Sequence, residues 1–240
     1  QVVVAHWERE GSVETPGGRT LRQDVEAGRI HAAVTISVNA PPHWIEFLAE
    51  HAVPLIGDGP GYRNTVATDI PQMVRDGTRF LIERGRRRIA FLQWRGWEAR
   101  EGEYGHFLGP FVDELSGHGI PYNKQWVCGS VDPMTAGSGW EEFRNLWGNS
   151  HEKPDGLLVC DDCLFREAVP AILSLGIDVP KELLVVTHAN RGSDIFHPFP
   201  TVRMEYDPDL LARRIVDMLL PLMRGETPTE RHVRVPFEWV

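Results

Sequence analysis

Residues 157–192, LLVCDDCLFREAVPAILSLGIDVPKELLVVTHANRG, leave this chain few ways to fold. An apolar run from Leu157 to Cys160 ends in two carboxylates, Asp161 and Asp162. Phe165, Val169, Ile172 and Leu173 then recur at helical spacing, Gly176 stops the helix, Val179-Pro180 makes a turn, and Leu183 to Val186 is a second buried-type run. Strand, helix, short turn and strand make a βαβ unit, in which polar residues at the strand ends face a crevice. Asp161, Asp162, His188 and Asn190 occupy those ends. The arrangement reads as a binding protein.

Composition bounds the rest. The 240 residues can bury a sizeable core, as one large domain or two smaller lobes. No apolar run approaches the roughly 20 residues that span a bilayer. A formal net charge of −9 argues against this chain gripping nucleic acid by itself, because phosphate contacts need clustered Lys and Arg. The one basic run, Arg84-Gly85-Arg86-Arg87-Arg88, reads as a solvated helix end and turn. Three cysteines leave at least one thiol free and point to a reducing compartment rather than a disulfide scaffold. Cys160 and Cys163 have C-x-x-C spacing, but Cys160 reads as a buried strand end and no zinc-ligand spacing accompanies the pair, so core packing is the expectation. The chain opens at Gln1 inside an apolar run and reads as a fragment lacking its upstream part.

Strand-like and helix-like runs alternate throughout. Strands are expected at 1–5, 32–38, 53–56, 88–94, 126–128, 201–204 and 232–237, and helices at 20–27, 42–51, 72–84, 107–117, 140–147 and 208–223. The turn cluster Gly57-Asp58-Gly59-Pro60-Gly61-Tyr62 lacks the Lys-Ser/Thr that would reach a phosphate. The polar stretch 95–105 reads as a crossing between lobes. This alternation is α/β, two doubly wound lobes with parallel sheets.

Ordered landmarks add a resemblance. Val53-Pro54-Leu55-Ile56 leads to Asp58 and Pro60. Phe80-Leu81-Ile82-Glu83-Arg84-Gly85 precedes Arg87-Arg88-Ile89-Ala90-Phe91-Leu92. Cys160-Asp161-Asp162, then Leu175-Gly176-Ile177 with Val179-Pro180 and Leu184-Val185-Val186, and finally Thr201-Val202-Arg203 before Tyr206, complete the set. Each is short, but together and in this order the chain resembles the effector-binding, periplasmic-binding-protein-like domain of the LacI/GalR transcription regulators. The resemblance implies two lobes joined by three crossovers, near Trp94, Met204 and Glu226. Residues 1–94 and 205–226 would form the first lobe, and 95–204 and 227–240 the second. It also implies a small-molecule effector in the interlobe cleft, a homodimer, a cytoplasmic location, and DNA contact only through a helix-turn-helix domain outside this chain.

Carried onto this sequence, the resemblance places Gln72 near the start of a first-lobe helix facing the ligand, and Asp161 at the cleft position usually held by Asn. Asp161 can accept two hydroxyl hydrogen bonds, which suits a sugar, while Asp162 caps the following helix. Trp94, Trp97 and Phe107 fall at the expected hinge and cleft mouth, where aromatic faces either meet a ligand or pack the hinge. His188 and Asn190 end a strand, and His188 either donates to a ligand or satisfies a backbone carbonyl. An Arg common at the position of Phe107 and an Asp common near Ala189 are absent, so the ligand class does not carry over. No nucleophile elbow, H-E-x-x-H or dinucleotide fingerprint appears, and neither a cofactor nor a metal is expected. The alternative is an extracytoplasmic sugar-binding protein of a transporter or chemosensory system, which shares the fold.

Overall fold

The computed structural model describes residues 14–15, 19–36, 40–59, 61–94, 105–131, 137–149, 151–193, 195–196 and 198–240. In chain order, the first elements are β1 (Glu14–Thr15), β2 (Arg19–Thr20), α1 (Leu21–Glu26), β3 (Ala33–Val34), α2 (Pro42–Glu50), β4 (Leu55–Ile56) and β5 (Thr65–Thr68). Next come α3 (Ile70–Glu83), β6 (Ile89–Trp94), α4 (Gly105–Gly117), β7 (Val127–Val131), α5 (Ser138–Asn149), β8 (Gly156–Val159) and α6 (Asp162–Ser174). The chain finishes with β9 (Leu184–Asn190), β10 (Val202–Tyr206), α7 (Pro208–Met223), β11 (His232–Val235) and β12 (Glu238–Trp239). The strand expected at 1–5 lies outside the described residues.

These elements sort into two compact units. One joins the chain up to Thr68 with Pro208–Val235, the other Asp69–Asp207 with Pro236–Val240, so the chain passes between them three times. In the first unit β3 pairs with β4 and β5 with β11, both in parallel. Trp44, Phe47, Leu48 and Val53 form one core there, and Ile56, Val66, Ile215 and Met218 another. Gly57 is set by packing: a Cβ at this position would stand 2.3 Å from the Tyr62 ring. The Tyr62 hydroxyl in turn accepts from the Thr35 hydroxyl (2.9 Å) and the Ala40 N–H (2.5 Å), so the turn cluster serves the core.

The second unit is a doubly wound sheet of six strands in the order β12-β10-β9-β8-β6-β7. All its pairings are parallel except that of β12 with β10. Every residue of β8 is buried, as a parallel strand covered on both faces requires. Successive side chains point to opposite faces. Ala90, Leu92, Leu157, Val159 and Val185 pack with Phe143 of α5 and Phe165 of α6. Ile89, Phe91, Leu158, Val186 and Met204 pack with Met73 and Leu81 of α3 and Phe111 of α4. Each of these buried side chains larger than Ala90 contributes about 1.5–3 kcal/mol. Gly77 lets α3 approach closely, since a Cβ there would meet Leu158 Cδ1 at 2.8 Å. Arg79 then ties α3 to α4 through a two-pronged pair with Glu114 (2.8 and 3.0 Å).

The expected lobe boundaries shift. β6, expected to close the first lobe, hydrogen-bonds β8 along one edge and β7 along the other, and so lies inside the second unit's sheet. The crossovers fall after Thr68, Asp207 and Val235 rather than near Trp94, Met204 and Glu226. The single strand expected at 232–237 divides at Pro236: β11 pairs with β5, and β12 pairs with β10. Proline has no N–H to continue a ladder, so the break falls there.

Candidate functional site

Within the second unit, β6 is the point at which strand order reverses. The chain runs from β6 to β7 on one side and then to β8 on the other. Carboxyl ends of strands at such a point enclose the usual ligand crevice of open α/β sheets. The ends of β6, β8, β9 and β10 bring Gln93, Asp161, Asp162, His188, Asn190 and Tyr206 to this edge.

Asp161 follows β8 in extended conformation (φ −160°, ψ 135°) and caps α6, its Oδ1 accepting the Leu164 N–H at 2.9 Å. The cap expected of Asp162 therefore belongs to Asp161, because extended backbone is the N-cap conformation and Asp162 is already helical. Asp162 is buried, with the Asn190 N–H 3.5 Å from its Oδ2. Its place in the first turn of α6 favours negative charge. Among the described residues, neither carboxylate ion-pairs with a Lys or Arg.

His188 is 8% exposed. Its ring stacks on Tyr206 and meets the edge of Phe237, with centroids 5.6 and 5.5 Å away. Tyr206 and Phe237 also meet edge to face at 5.7 Å, closing a three-ring cluster. Burial pushes the imidazole below its ordinary pKa, and the Asp161 and Asp162 carboxylates oppose that shift. Its Nδ1 is buried without a hydrogen-bond partner among the described residues, and so is the Asn190 side-chain oxygen. The Gln93 amide is 1% exposed and lacks partners at both nitrogen and oxygen among the described residues. Strand alternation puts Gln93, His188 and Asn190 on the sheet face that carries Phe91 and Val186. Buried groups left open in this way are uncommon and mark places where a ligand can complete the bonding.

Asp161, Asp162 and His188 also converge: one ligand-capable atom from each lies within 4.8 Å of the others. Neighbouring thiols are free. Burial, then the Asp161 charge, pushes the Cys160 thiol well up, and the exposed Cys163 thiol is raised as well. That fits packing rather than redox chemistry for the C-x-x-C spacing.

The remaining expected residues are placed differently. Gln72 is exposed and bound within α3, where its amide donates to Asp76 (2.8 Å) and its N–H lies 3.4 Å from the capping Asp69 carboxylate. Trp94 ends β6 in register with Val131. Trp97 lies outside the described residues. Phe107 is buried in the core with Phe91 and Phe111, so its ring serves packing. Sequence reasoning passed over Gln93, Tyr206 and Phe237. The one available signal was an amide ending the apolar run Ile89-Ala90-Phe91-Leu92.

Comparison with known proteins agrees with this architecture. The family described as Periplasmic binding protein-like domain matches residues 78–240. A curated relative, the HTH-type transcriptional repressor PurR of Glaesserella parasuis, is 26% identical over 155 residues, covering 64% of this chain. The chain spans 44% of that repressor's length. Among solved structures, a LacI-family regulatory protein from Chloroflexus aggregans superposes with a TM-score of 0.76 at 19% identity, over 91% of this chain and 78% of that one. The transcriptional regulator CelR in complex with cellobiose gives 0.74 at 20%, over 92% and 67%.

Proposed function

The chain belongs to the periplasmic binding protein-like domain family, in its LacI/GalR effector-binding form, and on that footing we propose that it senses a small polar effector for a transcription regulator. The observation carrying this reading is the set of polar groups on Gln93, His188 and Asn190 that are buried without partners among the described residues, near the point where the strand order reverses and beside the Asp161 carboxylate. A hydroxyl-rich molecule can complete such groups, since a side-chain amide both donates to and accepts from hydroxyls and a carboxylate accepts from two. The aromatic cluster of His188, Tyr206 and Phe237 adds flat apolar faces of the kind that sugar C–H groups meet. The cellobiose held by CelR supports a carbohydrate as the first class to test. Trp94, Trp97 and Gln72 belong to the same proposal as further contacts.

Effector binding would act on DNA affinity through a helix-turn-helix domain outside this chain, in a cytoplasmic homodimer whose symmetry suits paired half-sites. Calorimetry against mono- and disaccharides and sugar acids tests the site. A binder is expected to lose about 1–3 kcal/mol with Asp161→Ala or Asn190→Ala, the cost of removing one buried polar partner. A saccharide that binds both variants as tightly as the native chain overturns this placement of the site.

A further inference from the structure

We propose that Asp161, Asp162 and His188 form a binding site for a divalent transition metal of the zinc class, at the carboxyl ends of β8 and β9. The donor atoms of the three side chains lie within 4.8 Å of one another. A tetrahedral metal that takes nitrogen at about 2.0–2.1 Å and carboxylate oxygen at about 2.0–2.2 Å holds its ligand atoms roughly 3.4 Å apart. Side-chain rotations that draw the three donors inward by about an ångström would close the site.

Three further observations favour a cation. Asp162 is 3% exposed, and no Lys or Arg among the described residues pairs with it or with Asp161. Buried carboxylates persist when paired, hydrogen-bonded or coordinating a metal, and here Asp162 has only the Asn190 N–H at 3.5 Å and the weak thiol donor of Cys163 among the described residues. Next, His188 is more than nine-tenths buried, has a ring nitrogen close to both carboxylates, and its Nδ1 is without a partner among the described residues. Finally, capping occupies only Oδ1 of Asp161, so Oδ2 remains available.

The donor set chooses among metals. One imidazole and two carboxylates suit Zn²⁺, Co²⁺, Mn²⁺ or Ni²⁺ better than Mg²⁺, which holds its waters and takes oxygen ligands. Three protein ligands leave at least one coordination position open, as in zinc sites that bind a further molecule. Stacking on Tyr206 and the Phe237 edge restrain the imidazole plane. This inference does not rest on the regulator reading, because the metal alone is the probe.

The experiment is titration of the tag-free, chelator-treated chain with ZnCl2, and separately with MgCl2, followed by calorimetry and thermal unfolding. The expected result is one equivalent of Zn²⁺ bound ahead of any weaker uptake by the chain's ten histidines, with a raised melting temperature and weaker Mg²⁺ binding. Asp162→Asn and His188→Gln are each expected to weaken this equivalent by about tenfold or more. Asp161→Asn, which keeps the helix cap, is expected to weaken it too and stands in for any variant that does not fold. Absence of a one-equivalent event, or affinity unchanged in the folded variants, overturns the proposal. Saccharide binding is read in metal-free buffer, so failure of either reading is seen separately.

Discussion

The imidazole of His188 lies parallel to the ring of Tyr206, with 3° between their planes and 5.6 Å between centroids. The strands dictate the pairing. β9 and β10 run parallel with His188 opposite Met204 and Asn190 opposite Tyr206, so the two rings lie diagonally across neighbouring strands on one face. Phe237 closes the cluster from the segment just before β12.

Tyr206→Leu is therefore expected to destabilise the chain by about 0.5–1.5 kcal/mol beyond lost area, the size of an aromatic pair. Tyr206→Phe keeps the ring and is expected to cost less. Urea unfolding of both variants checks this, and equal losses would show that the stacking contributes nothing.

Capping separates two roles at Asp161. Asp161→Ala is expected to cost about 0.5–2 kcal/mol of stability, whereas Asp161→Asn, an equally good cap, is expected to be near neutral. Thermal melts distinguish them. A destabilised Asn variant would mean that the charge, and not the cap, is what α6 needs.

The thiols should differ sharply. Cys160 is buried and held protonated by desolvation and the adjacent Asp161 charge, whereas Cys163 is exposed. Iodoacetamide on the native chain is expected to modify Cys163 and leave Cys160 untouched until denaturant is added. Peptide mass mapping reads the order, and early labelling of Cys160 would contradict its burial.

Glu142 carries a pH dependence of known sign. Burial raises its carboxyl pKa, with Glu141 adding to the shift and a backbone hydrogen bond opposing it, and its Oε2 is buried without a partner among the described residues. A carboxyl whose folded pKa exceeds its unfolded one binds more protons in the native state. Its contribution is thus complete below the unfolded pKa and is lost as pH rises through the folded pKa. Glu142→Gln is accordingly expected to stabilise the fold slightly at pH 7, by less than about 1 kcal/mol for a partly exposed group, seen as a small rise in melting temperature. The gain should vanish in acid. A gain independent of pH would mean that charge is not its cause.

How far the sequence could be read depended on whether the cause was local. The βαβ unit of β8, α6 and β9 was legible, because buried runs, a helical stripe and a cap all lie within one stretch. Asp161, His188 and Asn190 could be singled out for the same reason: polar residues at the ends of apolar strands. β5 escaped because Thr65-Val66-Ala67-Thr68 is short and gains its strand form from β11, far along the chain. The lobe boundary escaped because Ile89-Ala90-Phe91-Leu92 is equally apolar in either sheet and only its hydrogen-bond partners decide. Gln93 reads as a strand residue, and its burial without partners among the described residues is a tertiary fact. Asp162 and His188 are readable from sequence as strand-end neighbours of one crevice, but 26 residues apart and in a pattern unlike any Cys/His zinc spacing they carry no sign of a shared ligand.

β5 and β11 are joined not only by their backbone ladder but by the contact of the Thr65 hydroxyl with His232 Nδ1 at 3.1 Å, across 167 positions of sequence. On a ribosome adding about 5–20 residues per second, the earlier strand would wait roughly ten to thirty seconds for its partner. Through that interval its edge stays open to any other strand, so newly made chains are exposed to mispairing and to holding chaperones. Maturation of this protein is therefore paced by translation as much as by its own folding.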